Sequence, residues 1–137
     1  MLLNLLKLQT MHGQVLYEYA VIRFVPHVER EEFLNVGVIV FCKAQKSVHM
    51  RFHIDEKKLQ AFAPGTDVQE LQQYLEAFAA TASGDKSGGP IAQEDAASRF
   101  RWLTAVRSSS IQTSRPHPGF CSDPEKTAER LLEELVK

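Results

Sequence analysis

The sequence predicts a single α+β domain, in which about three helices cover an antiparallel sheet of three to four strands. Three observations predict this class. Residues 17–54 hold short apolar segments joined by short connections, whereas a hydrophobic period typical of helices begins near residue 67. The length of 137 residues and the hydrophobic content of 44% suit one core.

The first half of the chain carries three predicted strands. Residues 17–25 are rich in β-branched and aromatic residues and end at Pro26, which cannot donate to a ladder. Residues 34–42 are apolar on both faces, as expected of a central strand, whereas residues 47–54 alternate between a core face and a wet face. The short connection between the last two predicts an antiparallel hairpin.

The second half is predicted to be mainly helical. Asp67 and Glu70 form a capping pair before an apolar stripe, so a helix should run from about 67 to 81, with a shorter helical turn before it at 55–62. Asp123 and Pro124 open the last helix. The three main helices are predicted near 67–81, 95–104 and 123–136.

Two further features belong to the stretch after residue 94. Ala97, Phe100, Trp102 and Leu103 are available for packing on the helix near 95–104. Residues 107–113 are polar and extended, which predicts a strand at an edge of the sheet.

Domain organisation is expected to be simple. Residues 1–14 are interpreted as an N-terminal extension that the domain does not need. The leucine-rich start is not expected to be a signal peptide, because it has neither a basic segment before it nor a small-residue cleavage site. The first ten residues could be an early-start extension before Met11 or a short docking helix. Residues 15–137 form the single domain. The Gly- and Ser-rich residues 83–90 are expected to be a flexible loop within it.

Composition excludes several classes of function. A formal net charge of −1 argues against a general nucleic-acid coat, so any anion site must be local. The two cysteines form no disulfide framework, which favours a reducing cytoplasm. No apolar run approaches the roughly 20 residues that span a bilayer, so no membrane partner is expected. No cofactor motif is present, and no cofactor is predicted.

An arginine cluster is the best candidate for chemistry. Between Asp95 and Asp123 the chain has no acid. The cationic and polar residues of this stretch include Arg99, Arg101, Arg107, Arg115, Ser108 and His117. Guanidinium groups bind phosphate or carboxylate through two bonds, so a phosphate-bearing ligand, or a single-stranded nucleic acid stacked on Trp102, would fit. The alternative is that these arginines pair with the acid-rich final helix and with the acidic loop of residues 29–32, which says little about function.

A second candidate lies around the first strand. Arg23 interrupts an apolar pattern and needs a partner. Glu29 or Glu31 could fold back to pair with it, which would leave Arg30 free; the alternative is that Arg23 and Arg30 together hold a ligand. Asn35 and Gly37 then indicate either a β-bulge or a point where another backbone or a ligand comes close.

Metal and nucleophile chemistry are weakly supported. His49 and His53 lie four residues apart on one strand, roughly 13 Å at about 3.3 Å per residue, which is too far for one ion. No metal site is predicted. Cys121 with His117 as base could form a nucleophilic pair, but the residues between them are typical of a turn and a lone cysteine is usually a small buried hydrophobe.

Three blocks of the sequence resemble the bacterial family called domain of unknown function 3037, over about residues 15–137. The blocks are YEYAVIRFVPHVEREEFLNVGVIVFC, FRWLTAVRSSSIQTS and HPGFCSDPEKTAERLLEELV. The positions that match its polar signature are Arg23, Glu29, Arg30, Asn35, Arg101, Arg107, Ser108 and His117. The family has no established activity. Its association with a gene for a HipA-like kinase-fold protein would imply a small accessory partner.

The leading hypothesis is a cytoplasmic, non-catalytic binding or accessory module. Its arginines, Arg23, Arg30, Arg101 and Arg107, are expected to converge on an anionic ligand, such as phosphate or nucleic acid, or on an acidic partner. One alternative is a phosphodiester or phosphoryl enzyme in which Glu29 or His117 exchanges protons, favoured if these residues meet Arg107 in one cleft. The other is a structural adaptor with an exposed apolar patch.

Overall fold

A computed structural model describes residues 13–137. Within them, five strands form one antiparallel sheet and four α-helices pack on it, so the predicted α+β class is confirmed. The strands are β1 (Val15–Phe24), β2 (Leu34–Cys42), β3 (Ser47–Phe52), β4 (Ile111–Thr113) and β5 (His117–Cys121). The helices are α1 (Glu56–Phe62), α2 (Val68–Ser83), α3 (Ala96–Leu103) and α4 (Pro124–Leu135). Most of the predicted extension, residues 1–12, lies outside the described residues.

The sheet has the order β3-β2-β1-β4, and β5 also pairs with β1. On the edge opposite β2, the ten-residue strand β1 pairs with two short strands in succession. Its first half pairs with β5 and its second half with β4. The predicted edge strand at 107–113 is present only as β4. We did not predict β5, because its proline and glycine are typical of a turn. An edge strand tolerates them, since its outer side forms no ladder.

The sheet is covered on both faces. The larger core lies under α1, α2 and α3, around Ile22, Ile39, Leu75 and Phe100. The smaller core lies under α4 and includes the other face of β2. All residues of β2 from Val36 onward are therefore buried, as predicted for the central strand.

The bulge expected in β2 is present. The register with β1 places Ile22 opposite Gly37 and Arg23 opposite Asn35, so Val36 is the extra residue. A Cβ atom at Gly37 would lie 2.8 Å from the carbonyl oxygen of Arg51 on β3. Glycine is therefore required here because the neighbouring backbone comes close, which was the other interpretation of this position.

Each α-helix begins at an aspartate whose carboxylate accepts an amide hydrogen bond from the first turn. The four N-caps are Asp55, Asp67, Asp95 and Asp123. The predicted capping pair of Asp67 and Glu70 forms only in part. Asp67 accepts from the Glu70 amide, but the Glu70 carboxylate accepts from the Tyr74 hydroxyl and not from the Asp67 amide. None of the helices among residues 13–137 has the length and apolarity that a bilayer crossing requires.

Two burial predictions need correction. Trp102 does not pack in the core but is 45% exposed near the C-terminal end of α3, because Phe100 and Leu103 occupy the side of the helix that faces the core. The polar face of β3 is not fully exposed to solvent. Helix α4 packs against this strand and leaves His49 and Arg51 half-buried. Burial lowers the pKa of His49 from its ordinary value.

Candidate functional site

One face of α2 lines two adjoining cavities of about 540 and 410 Å³ that share Tyr74 and Ser110. The lining residues on this face are Asp67, Glu70, Leu71, Tyr74, Ala77, Phe78 and Thr81. Their spacing of three and four places them on a single helical stripe. We therefore treat the two cavities as one groove, the α2 groove, whose opposite wall is formed by the loop after β1 and the segment 107–111.

Arg107 lies at one end of the α2 groove. Its guanidinium group donates to the carbonyl oxygen of Trp102 in the last turn of α3, which also accepts a long hydrogen bond from the Ala105 amide. The guanidinium carbon lies 4.7 Å from the centre of the Trp102 ring and 5.7 Å from that of Phe78. The cation is thus held between two aromatic rings and one backbone acceptor.

The charge of Arg107 is not neutralised by a carboxylate. Among residues 13–137 it takes part in no ion pair. Burial lowers the pKa of the Arg107 guanidinium from its ordinary value, but arginine remains charged at neutral pH. Tyr74, Thr81, Ser109 and Ser110 line the same cavity, but the hydroxyl groups of the first three already donate to Glu70, Ala77 and Ile111 respectively. This end can bind an anion through the guanidinium group, with the Ser110 hydroxyl as a neutral donor beside it.

The other end of the groove has a different charge. The side chains of Glu32, Asp67 and Glu70 line it together with Arg30 and His27. Arg30 is paired with Glu32 at 2.5 Å, and this pairing raises the pKa of Arg30 and lowers that of Glu32. The remaining carboxylates leave this end acidic.

Tyr74 lies where the two halves of the groove meet. Its hydroxyl donates to the Glu70 carboxylate at 2.6 Å, and the bond to this carboxylate raises the pKa of Tyr74. The side chain is 48% exposed. Tyr74 and Trp102 therefore offer two aromatic surfaces to a ligand that lies along the groove.

The eight predicted site residues fall into three places. Arg30 and Arg107 line the α2 groove. Ser108 is exposed beside Arg107, Glu29 lies next to Arg30 with a carboxylate oxygen 3.9 Å from His27, and Arg101 is exposed on α3; none of these three lines the groove. The last group lies elsewhere on the sheet: Arg23, Asn35 and His117.

Arg23 and Asn35 lie opposite each other on β1 and β2. The Arg23 guanidinium carbon is 4.0 Å from the centre of the Phe33 ring, and its buried Nε has no hydrogen-bond partner within residues 13–137. The amide nitrogen of Asn35 donates to the carbonyl oxygen of Leu135 at the end of α4 at 3.1 Å, whereas its buried Oδ1 is unpartnered in the same part of the chain.

His117 on β5 pairs with Tyr19 on β1, and the two rings are 5.4 Å apart. Tyr19 lies four residues before Arg23 on the same strand. At about 3.3 Å per residue, roughly 13 Å separates these positions, and the same spacing keeps His117 from Cys121. Cys121 is buried and free, as is Cys42. The imagined cysteine–histidine pair is thus not formed.

Three pairing predictions are wrong. Arg23 forms no ion pair with Glu29 or Glu31 among residues 13–137, and Arg30 is not free because Glu32 holds it. The acids of the final helix bind other cations: Glu125 binds Arg51, Glu134 binds Arg130 and Glu133 binds Lys137. Arg99 instead donates to the backbone carbonyls of Ala82 and Glu94.

Sequence reasoning missed the α2 residues of the groove. Tyr74 lies beside the buried stripe of α2. The helical spacing of apolar residues does not show whether such a residue borders the core or lines a surface groove. The available signal was a large aromatic residue on a helix whose core positions Leu71, Leu75 and Phe78 already fill. Within residues 13–137 no three His, Cys, Asp or Glu side chains are grouped as metal ligands would be.

A single antiparallel sheet with helices on both faces and one long surface groove defines a small α+β protein. The chain belongs to the family described as protein of unknown function DUF3037, whose model matches residues 19–136. The match covers nearly all of the chain and confirms the resemblance inferred from the sequence. No curated protein and no solved structure gives a match.

Proposed function

We propose that this protein is a cytoplasmic, non-catalytic binding or accessory module that recognises an anionic group in the α2 groove, with Arg107 as the principal contact. The observation that carries the proposal is the state of Arg107: a half-buried guanidinium group, held in place by Trp102, without a carboxylate partner among residues 13–137. Its two free cysteines are in keeping with a reducing compartment.

The setting of Arg107 supports binding more than structural pairing. Contacts with Trp102 and Phe78 hold the partly buried guanidinium group in place, but no carboxylate among residues 13–137 supplies its counter-charge. An incoming phosphate or carboxylate would supply that charge. Because the guanidinium group is already oriented by Trp102, little side-chain entropy would be lost on binding.

The groove provides contact area beside the charge. Phe78, Trp102 and Tyr74 line the Arg107 end, and apolar or aromatic parts of a ligand could pack on them. A protein partner, such as the HipA-like kinase-fold neighbour that the family resemblance implies, would have to present an acidic group at this place. A nucleic acid would present a phosphate and stack a base.

The enzyme alternative required Glu29, Arg107 and His117 in one cleft. The geometry does not favour it, because Arg107 lines the groove while neither Glu29 nor His117 does. His117 lies on β5 beside Tyr19, away from α2. No other observation favours catalysis over binding.

The test uses the fluorescence of Trp102, the single tryptophan of the chain, which reports directly on the groove. The protein is titrated with inorganic pyrophosphate, hexaglutamate and hexathymidylate. We expect at least one probe to change the emission saturably. Arg107→Gln should weaken that binding about tenfold or more, as expected for loss of a hydrogen bond to a charged group.

Arg101→Gln is the matched control, since this exposed arginine lies next to Trp102 but outside the groove lining. It should change the affinity less than about twofold, because rim charges contribute little. Absence of saturable binding for all three probes at millimolar concentration, or equal losses in the two variants, would contradict the proposal.

A further inference from the structure

The α2 groove has opposite charges at its two ends. Among residues 13–137, the Arg107 end is lined by one cation and no carboxylate, whereas the other end is lined by three carboxylates, of which Arg30 neutralises Glu32. Asp67 and Glu70 remain unpaired by a cation within residues 13–137. A ligand that fills the groove therefore meets a positive end and a negative end.

This polarity distinguishes between two macromolecular ligands. A single-stranded nucleic acid carries a negative charge at every nucleotide, so its phosphates would be repelled at Asp67 and Glu70. A peptide can place an acidic side chain against Arg107 and a basic one against these carboxylates. Charge complementarity thus favours the peptide.

The length of the groove sets the size of the ligand. Asp67 and Thr81 mark the ends of the lining face of α2 and lie 14 residues apart, which corresponds to about 21 Å at 1.5 Å per residue. An extended peptide covers this distance with roughly six residues at about 3.3 Å each. Leu71 in the acidic half and Phe78 in the Arg107 half contribute largely buried apolar side chains to the floor, and Tyr74 lies between them.

We infer that the occupant of the α2 groove is an extended peptide segment of a partner protein, about six residues long, with an acidic side chain at one end and a basic side chain at the other. The inference rests on the proposed function and adds the ligand class to it. Side chains between the two charges are expected to be apolar or aromatic, because they lie over Tyr74, Leu71 and Phe78.

The experiment selects hexapeptides from a random library displayed on phage against the parent protein and, in parallel, against Arg107→Gln. We expect sequences that carry an acidic and a basic residue separated by three or four positions, and we expect their enrichment to be lost on Arg107→Gln. The most enriched hexapeptide is then synthesised with blocked ends and titrated against the protein by Trp102 fluorescence.

Glu70→Gln tests the acidic end. Glutamine keeps an acceptor for the Tyr74 hydroxyl and removes only the charge, so the fold should be retained. The peptide should bind about two- to fivefold more weakly, the effect of one partly exposed ion pair. Glu76→Gln is the matched control, since this exposed residue of α2 lies outside the groove, and it should leave the affinity unchanged.

Several outcomes would overturn the inference: no enrichment over Arg107→Gln, enriched peptides without a basic residue, or no loss of affinity in Glu70→Gln. A hexathymidylate that binds more tightly than every selected peptide would assign the groove to nucleic acid instead. If pyrophosphate, hexaglutamate or hexathymidylate binds in an Arg107-dependent way while no peptide is selected, the peptide inference fails and the proposed function stands. Failure of every ligand rejects both.

Discussion

The guanidinium carbon of Arg107 lies 4.7 Å from the centre of the Trp102 ring, and the same guanidinium group donates to the Trp102 carbonyl oxygen. Trp102 thus orients the guanidinium group in two ways: its ring packs on the guanidinium plane, and its carbonyl oxygen accepts a hydrogen bond from one N–H group. Since no carboxylate among the described residues 13–137 pairs with it, the guanidinium group is available to an external anion.

Removal of the Arg107 side chain should uncover Trp102. In Arg107→Ala we expect emission at longer wavelength and stronger quenching by acrylamide, because the ring loses the group that shields one face. The free energy of unfolding should change by no more than about 1 kcal/mol, as for a cation–π contact at a partly exposed site. Fluorescence of Arg101→Ala is the control and should match the parent. Unchanged quenching in Arg107→Ala would contradict the stacked arrangement.

Gly119 on β5 is predicted to be intolerant of a side chain. A Cβ atom there would lie 2.5 Å from Cζ of the buried Tyr17 ring on β1, so Gly119→Ala should destabilise the protein by about 1–3 kcal/mol. Urea unfolding of Gly119→Ala, Tyr17→Leu and the double variant measures this. The cost of Gly119→Ala should fall when Tyr17 is replaced, because the two residues are in contact.

Gly37→Ala is the control for this double-mutant cycle of Gly119→Ala and Tyr17→Leu. Its Cβ would meet the backbone oxygen of Arg51 rather than Tyr17, so its cost should be the same with or without the Tyr17→Leu change. An equal cost of Gly119→Ala in both backgrounds would show that the Tyr17 ring is not what excludes the side chain.

Asn35 is predicted to stabilise the end of α4. Its amide donates to the Leu135 carbonyl, one of the helix carbonyls that lack an internal partner, so Asn35→Ala should cost about 0.5–1.5 kcal/mol. The free energy of unfolding in urea tests this, with the exposed Gln73→Ala as the control, expected within about 0.5 kcal/mol of the parent. Equal stability of Asn35→Ala and the parent would contradict the claim that Asn35 stabilises the end of α4.

Asp95 predicts a pH dependence at the start of α3. Its carboxylate accepts from the amide of Ser98, and this bond lowers the pKa of Asp95. The folded state therefore binds fewer protons than the unfolded chain near the ordinary carboxyl pKa of about 3.9. The contribution is present above that pH and is lost as the pH falls through the folded value.

Urea unfolding at pH 6 and pH 3 measures the contribution of Asp95. Asp95→Asn keeps an acceptor for the Ser98 amide but cannot titrate, so it should lose less stability than the parent on acidification. The same loss in both proteins would show that this cap does not contribute to the acid dependence.

Much of the fold could be predicted because local and tertiary requirements agree. The bounds of β2 and the N-cap of α2 follow from an uninterrupted apolar run and from an aspartate before a helical stripe. β5 could not be predicted, since Pro118 and Gly119 favour a turn locally, and only pairing with the first half of β1 makes them a strand.

The candidate site was less predictable, because partner choice among surface charges depends on three-dimensional neighbours. Arg107 and the absence of acids around it were visible in the sequence. The pairing of Arg30 with Glu32, two residues away, was not distinguishable from pairing of Arg23 with the same acidic loop. The contribution of Tyr74 depends on the position of the segment 107–111 beside α2, across a shared cavity.

The most direct test of the central claim is a nitrogen-15 nuclear magnetic resonance titration of the whole chain with pyrophosphate, hexaglutamate and hexathymidylate in turn. We expect the shifted backbone amides to cluster in residues 67–81 and 107–111, and we expect the cluster to disappear in Arg107→Gln. Shifts centred on Arg23, Asn35 and His117, or shifts spread evenly over the surface, would contradict the assignment of anion binding to the α2 groove.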